Sequence, residues 1–483
     1  MRRLRQLAER TPPERERYVD LLRALAITLV VLGHWGVTAI GYDHGRPAGH
    51  SALADLPWAW PLTWLAQVMP VFFLVGGYAN AASLTARRGR GGTATGWLVD
   101  RSARLVRPTT MLLLVLTAGA AVATVRDAEP AQVRTVVWFA TIPLWFLVAY
   151  LVAVALTPPM YALHRRFGLA VPAVLVGLVA LGDLGRLLGP GGLADGNYLF
   201  AWLALHQLGF AWYDARVPQL PRHRRLPLSR RAGAVLLTGG VAALILLTVV
   251  GPYPVAMLHV PGERLDNAAP PSLALLAAAA TQLGLILLLR RPAGRWLRRP
   301  GPWQAVIAVN AVVLTVFLWH LTAAILLIGL LDVLGVLPTP PVGSPAWWAW
   351  RIPWLLALTV VLSALVAVFG PVEARTRRPA GGRAGRPDGE HGPAWTALTV
   401  AGYAGLVAGL LLNSLAPNSA PDPLGLPVPA LVAYLVGAGL LRLLRSGWGG
   451  RGRPGRGTRA GRRAGPVPGE PPGTGRGPGG QLT

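Results

Sequence analysis

Asp20, Arg23 and His34 stand in a run of otherwise apolar sequence, RYVDLLRALAITLVVLGHW, from Arg17 to Trp35. On a helix, eleven residues are close to three full turns, so Arg23 and His34 point the same way, about 16 Å apart along the axis. Asp20, three residues before Arg23, shares that face. Ionisable groups inside a membrane-length helix are costly and usually sit there for function. A neutral histidine in such a place can take a proton near neutral pH, which suits a general base. The structural alternatives are an Arg23 that snorkels with Asp20 as its partner, and a His34 that only hydrogen-bonds inside a bundle. A second cluster is VDRSARLVRPTT, where Arg101, Arg104 and Arg107 recur every three residues before Pro108. We expect a narrow helical ridge able to grip phosphates through forked hydrogen bonds; ordinary topological charge is the alternative. Further polar residues fall inside apolar runs: Tyr78, Asn80, His206, Gln207 and His320. They can line an acceptor path or make structural hydrogen bonds. Pro70, inside the second run, is expected to free a backbone carbonyl.

The elements that hold these residues follow from composition and pattern. The chain has 483 residues, 53% hydrophobic and 14% charged, where a soluble protein carries about 25% charge. That describes an all-α, polytopic membrane protein. With no cysteine, disulfides, thiolate nucleophiles and cysteine-ligated zinc are excluded, and no metal site is expected. Apolar runs lie near 19–40, 62–84, 106–125, 135–156, 169–188, 197–213, 233–251, 272–290, 303–331, 351–370, 394–413 and 428–444. Each is expected to cross a hydrocarbon core about 30 Å thick. The run at 197–213 is short, and that at 394–413 is rich in Gly and Ala. The net charge of +26 would suit nucleic acid, but the arginines fall in alternate loops between runs. Positive loops stay cytoplasmic, so both termini are expected in the cytoplasm of a cell-membrane protein. The intervening loops carry Asp43, Asp55, Asp127, Glu129, Asp195, Glu263, Asp266, Asp332 and Asp422, and a tryptophan belt from Trp58 to Trp64 and Trp347 to Trp354. The first run is too long for a cleaved signal peptide. The stretch 446–483 is Gly, Pro and Arg, and reads as disordered.

Taken together, these residues resemble the acyltransferase 3 family of integral membrane acyltransferases. The matching segments are Asp20-Leu21-Leu22-Arg23 through His34, then PVFFLVGGY (Pro70 to Tyr78), then Arg101, Arg104, Arg107 and Pro108. PLWFLVAYL, which contains Trp145, and NAVVLTVFLWHLTA, which ends in the region of His320, complete the set. The resemblance covers roughly residues 15 to 370. It implies a ten-span acyltransferase core (18–371); the chain departs from it at the end, and a basic arm (1–17), a basic loop (372–393), two additional C-terminal transmembrane helices (394–445) and a tail (446–483) lie outside that core. The implied activity moves an acyl group, commonly acetyl, from cytoplasmic acyl-CoA to a hydroxyl of a glycan, lipid-linked sugar or small molecule. His34 would be the base, with Arg23, Asp20 and His320 in the catalytic set. Arg101, Arg104 and Arg107 would hold the donor, and Tyr78, Asn80, Trp145, His206 and Gln207 the acceptor. The partners are then acyl-CoA, the acceptor and the bilayer; acyl-CoA is a substrate, and no resident cofactor is implied. A twelve-span secondary transporter, or a glycan-export component without chemistry, is the rival reading. Transporters usually carry two related halves, whereas the charge here is concentrated in the first run.

Overall fold

The computed structural model describes residues 9, 11–12, 15–189, 191–263, 265–376, 392–419 and 421–446. The basic loop and the tail, including the disorder expected of 446–483, fall almost wholly outside them. The described residues are mostly helical. In order come α1 (Arg17–Val37), α2 (Met69–Arg88), α3 (Ala94–Val125), α4 (Pro130–Thr141), α5 (Leu144–Phe167), α6 (Ala170–Leu188) and α7 (Asn197–Asp214). They are followed by α8 (Arg230–Ile245), α9 (Leu273–Trp296), α10 (Pro300–Ala311), α11 (Val313–Val333), α12 (Pro345–Thr376), α13 (Pro393–Leu415) and α14 (Val428–Arg445). Between α1 and α2 the strands β1 (Thr38–Asp43) and β2 (Arg46–Ser51) form an antiparallel hairpin that pairs Thr38 with Ser51.

Eleven helices among the described residues are long and apolar enough to cross a membrane. The sixth run forms α7, which is not one of them. It is buried without interruption from Ala201 to Gln207 and again from Gly209 to Trp212. A helix sheathed in protein rather than lipid can carry His206 and Gln207, so its hydropathy is low for a physical reason. Besides the run at 62–84, where one turn of helix (Thr63–Ala66) precedes a break at Gln67-Val68, two other runs are not single helices. The run at 135–156 breaks at Ile142-Pro143 between α4 and α5. The run at 303–331 breaks at Val312 between α10 and α11. The second break strands helix-end N–H groups in an apolar interior, which must be satisfied internally. Buried Glu373 of α12 does this: its Oε2 accepts from the Thr315 N–H and from Thr315 Oγ1, each at 2.9 Å. A carboxylate at a helix N-terminus is also favoured by the helix dipole. Pro70 corrects another expectation. It stands in the first turn of α2, where no intrahelical N–H is missed and no carbonyl is freed.

Close helix crossings explain several of the glycines. A Cβ on Gly77 of α2 would stand 2.0 Å from the His206 carbonyl oxygen of α7, and one on Gly209 would stand 2.2 Å from the Leu74 carbonyl oxygen. The two backbones approach so nearly that only glycine fits, as in small-residue crossings generally. The α13–α14 pair repeats the device. A Cβ on Gly409 would stand 2.6 Å from the Ala430 carbonyl oxygen, and one on Gly437 the same distance from that of Gly402. This pair is tied to the rest by Arg134 of α4, which is fully buried. Its guanidinium donates to Asn413 Oδ1 and to the carbonyls of Asn413, Ala416, Pro417 and Gly425.

The helix ends sort by charge. Arg17, at the start of α1, donates to the Leu297 carbonyl just after α9, and Glu16 pairs with Arg290. Arg445, at the end of α14, reaches Asp100 near the start of α3. At the other ends, Tyr42 of the hairpin donates to Asp332, and Arg46 pairs with Glu129. Trp58 and Trp348 lie there with ring centroids 6.3 Å apart, while Trp347 and Trp354 of the expected belt are buried.

Candidate active site

α1 places Asp20, Arg23 and His34 along one side, as the spacing requires. At its arginine-rich end, buried Asp20 accepts from Arg15 at 2.6 Å and from Arg23 at 3.4 Å. Asn310, at the end of α10, donates to the Asp20 carbonyl at 2.9 Å and so fixes this turn. At the other end, His34 occupies the last turn of α1. Thr38 Oγ1 donates to its carbonyl at 2.6 Å, and the chain then leaves as β1.

His34 meets His320 there. Its Nδ1 lies 2.8 Å from His320 Nε2, and His320 Nδ1 lies 2.6 Å from the Phe317 carbonyl oxygen. These contacts fix the protons of the neutral pair. A carbonyl only accepts, so His320 Nδ1 carries the hydrogen and its Nε2 offers a lone pair. His34 Nδ1 then donates, and His34 Nε2 is left with a lone pair of its own. The result is a half-buried imidazole oriented by a fully buried one. Trp35 Nε1 also donates to the His320 carbonyl at 3.0 Å, locking α1 to α11 beside the pair. A nitrogen base oriented by a second group through its other nitrogen is the arrangement that proton abstraction needs.

The arginines of α3 do not act as one ridge. Steps of three residues precess by about 60° each, so Arg101 and Arg107 are splayed by about 120°. Arg101 turns inward, donates to the Tyr150 hydroxyl at 3.2 Å, and lies near enough to Arg23 for the two charges to repel. Arg104 is exposed, and Arg107 faces Arg442 and Arg445 of α14 instead. Aromatic rings connect the inward arginine to the histidines. Tyr150 stacks on Phe146 at 5.9 Å, Phe146 meets the Phe317 edge at 5.5 Å, and Phe317 lies 6.1 Å from the His320 ring. Gly76 makes room for this wall, since a Cβ there would stand 2.7 Å from Tyr150 Cε2.

The expected acceptor residues divide. Asn80 and His206 meet, with Asn80 Nδ2 donating to His206 Nε2 at 3.0 Å, both wholly buried. Gln207 Nε2 donates to the Met160 carbonyl, and the Tyr78 hydroxyl accepts from Arg216 at 3.1 Å, among Trp212 and Tyr213. Neither joins the histidine pair. Trp145 points outward and is 36% exposed; Phe146 and Tyr150 on the same helix face inward. The sequence reading missed Tyr150, Phe146, Glu373 and Arg134. PLWFLVAYL contains the first two by position, but which face turns inward is a property of packing. Among the described residues no group of three His, Cys, Asp or Glu side chains could hold a metal ion.

An acyltransferase domain model matches residues 16–369. That span takes in α1 through most of α12, and with it Asp20, Arg23, His34, Arg101 and His320; α13 and α14 lie beyond it. No curated protein and no solved structure matches the chain.

Proposed function

The chain belongs to the acyltransferase 3 family, and from that membrane-embedded acyltransferase we propose the finer reaction: transfer of an acyl group, acetyl first among candidates, from acyl-CoA to an acceptor hydroxyl with His34 as general base. The observation that carries this is the hydrogen-bonded series from the Phe317 carbonyl through His320 to His34, which leaves His34 Nε2 as the acceptor for a proton. The acceptor hydroxyl gives its proton to that nitrogen while its oxygen attacks the thioester carbonyl. The C–S bond then breaks, and the CoA thiolate leaves with the proton returned from His34. His320 supports the transient imidazolium with its Nε2 lone pair and needs no charge of its own. The donor nucleotide is anionic and suits the end of α1 where Arg15, Arg23 and Arg101 gather. The pantetheine arm is long enough for the roughly 16 Å along α1 from Arg23 to His34. Arg104 serves the nucleotide from outside the wall, and Asp20 holds Arg23 in place. The acceptor is a hydroxyl-bearing glycan, lipid or small molecule, with Asn80 and His206 beside its path. The protein sits in the cell membrane with both termini cytoplasmic, so the donor enters from the arginine-rich side.

Purified protein in detergent, given acetyl-CoA, tests this by release of free CoA thiol. His34→Ala should lower turnover by about 10²–10⁴ and leave CoA affinity nearly unchanged. Arg101→Ala should weaken CoA binding at least about tenfold, the loss of one charge-assisted hydrogen bond. Near-normal turnover by well-folded His34→Ala would place the base elsewhere. Comparison of intact glycans and lipids from a gene-deleted strain by mass spectrometry would identify the acceptor by a missing acyl mass.

A further inference from the structure

The arginine cluster that the catalytic reading leaves aside is Arg107 with Arg442 and Arg445. The three converge from α3 and α14, near enough for Arg107 to be repelled by both others. Asp100 reaches Arg445 at 3.6 Å but is already paired with Arg87 at 2.9 Å. Among the described residues, Arg107 and Arg442 have no carboxylate partner. Like charges gathered this way call for an anion between them. They rim a half-open cavity of about 920 Å³ between α3, α12 and α14. Beyond the rim the walls are mostly apolar, with Met111, Leu114 and Leu435 beside Thr110. From Arg107 to Leu114 is about 10 Å along the helix, and Leu114 is exposed on the apolar exterior. The cavity therefore runs from a cationic mouth into an apolar trough open to the side.

We propose that this groove binds an anionic membrane phospholipid, its phosphodiester held by Arg107, Arg442 and Arg445 and one acyl chain laid against Met111, Leu114 and Leu435. Arginine forks suit phosphate oxygens, and juxtamembrane arginines attract anionic headgroups. A soluble nucleotide matches the mouth but gains nothing from a trough lined with aliphatic side chains. Two of the three arginines belong to α14, which lies outside the matched residues 16–369. The site thus gives the last helix a task separate from the transfer reaction: it completes a lipid seat against α3.

The chain has no cysteine, so Leu114→Cys provides a single labelling site in the trough. With an environment-sensitive fluorophore there, the full-length protein in neutral detergent is titrated with brominated phosphatidylglycerol and, separately, brominated phosphatidylcholine. Saturable quenching by phosphatidylglycerol at least about tenfold tighter than by phosphatidylcholine is expected, the order of one charge-assisted contact. Arg442→Gln, at an exposed position, should remove that preference while leaving thermal stability unchanged. Native mass spectrometry of the unlabelled protein should show one retained phosphatidylglycerol that the variant loses. Equal quenching by both lipids, or displacement of phosphatidylglycerol by inorganic phosphate or CoA at equal concentration, overturns the proposal. The second outcome would make the groove a soluble-anion site.

Discussion

His320 should set the tautomer of His34, and its replacement measures how much that is worth. In His320→Leu, His34 Nδ1 loses the acceptor now 2.8 Å away. An unsatisfied buried donor costs about 1–3 kcal/mol, which disfavours the Nδ1–H form by about 5- to 150-fold. That form is the one that leaves Nε2 free, so the rate should fall by about the same factor. His320→Gln provides a different check. Its amide oxygen can accept from His34 Nδ1 while its amide nitrogen donates to the Phe317 carbonyl, so the tautomer survives and the loss should stay within about tenfold. His34→Ala removes the base itself and should lose about 10²–10⁴. The expected order of loss is therefore His34→Ala, then His320→Leu, then His320→Gln. Thiol release from acetyl-CoA gives the rates, and calorimetric titration with CoA shows whether binding is spared. Full activity in His320→Leu, or equal losses in the leucine and glutamine variants, would refute orientation as the role of His320.

Gly77→Ala would put a Cβ 2.0 Å from the His206 carbonyl oxygen. The overpacking should cost about 1–3 kcal/mol or more, seen as a lower apparent Tm, and an unchanged Tm would mean that α2 and α7 do not cross there. Arg134→Ala strands five acceptors around the α13–α14 connection. That connection should become a preferred site for added protease, with no new cleavage in α1 to α3; protection equal to the parent would count against the tether. Reporter fusions after Asp43, Glu129 or Glu263 should read outside, and fusions after Arg90, Arg225 or Arg298 inside. A cytoplasmic reading at Glu263 would break the assignment of sides from α9 onward.

The single-helix part of this site was legible in the sequence. Asp20, Arg23 and His34 lie on one helix, so helical periodicity alone puts them on one face, and the structure keeps them there. The part spread over several helices was not. Arg101, Arg104 and Arg107 look like a ridge because three is close to 3.6, yet the mismatch accumulates with each step and sends Arg107 to a different neighbour. Trp145 and Tyr150 are both aromatic residues of one apolar run, and only packing against α2 decides that Tyr150 is inside. Hydropathy also reports composition without connectivity. It draws 303–331 as one continuous segment because Val312 and its neighbours are apolar, while the break there depends on Glu373, far along the chain. It ranks α7 low because His206 and Gln207 are polar, although enclosure by other helices is what permits them.

The break at Val312 also lies between the two contacts that join this run to α1. An unbroken helix from Pro300 would carry Asn310 and His320 on a common straight axis, ten residues apart. Asn310 is held to the Asp20 carbonyl at the arginine-rich end of α1, and His320 to His34 at its far end. Asp20 and His34 are about 21 Å apart along α1, but ten residues of straight helix span only about 15 Å. The difference is spanned by the reach of the Asn310, His34 and His320 side chains and by Val312, whose backbone leaves the helix at φ −127°, ψ 17°. Ending α10 at Ala311 and restarting α11 at Val313 lets each segment take its own direction, and Glu373 satisfies the N–H groups that the restart exposes. The polar cap in the apolar interior thus satisfies the start of α11 while α10 and α11 contact the arginine end and the histidine end of α1.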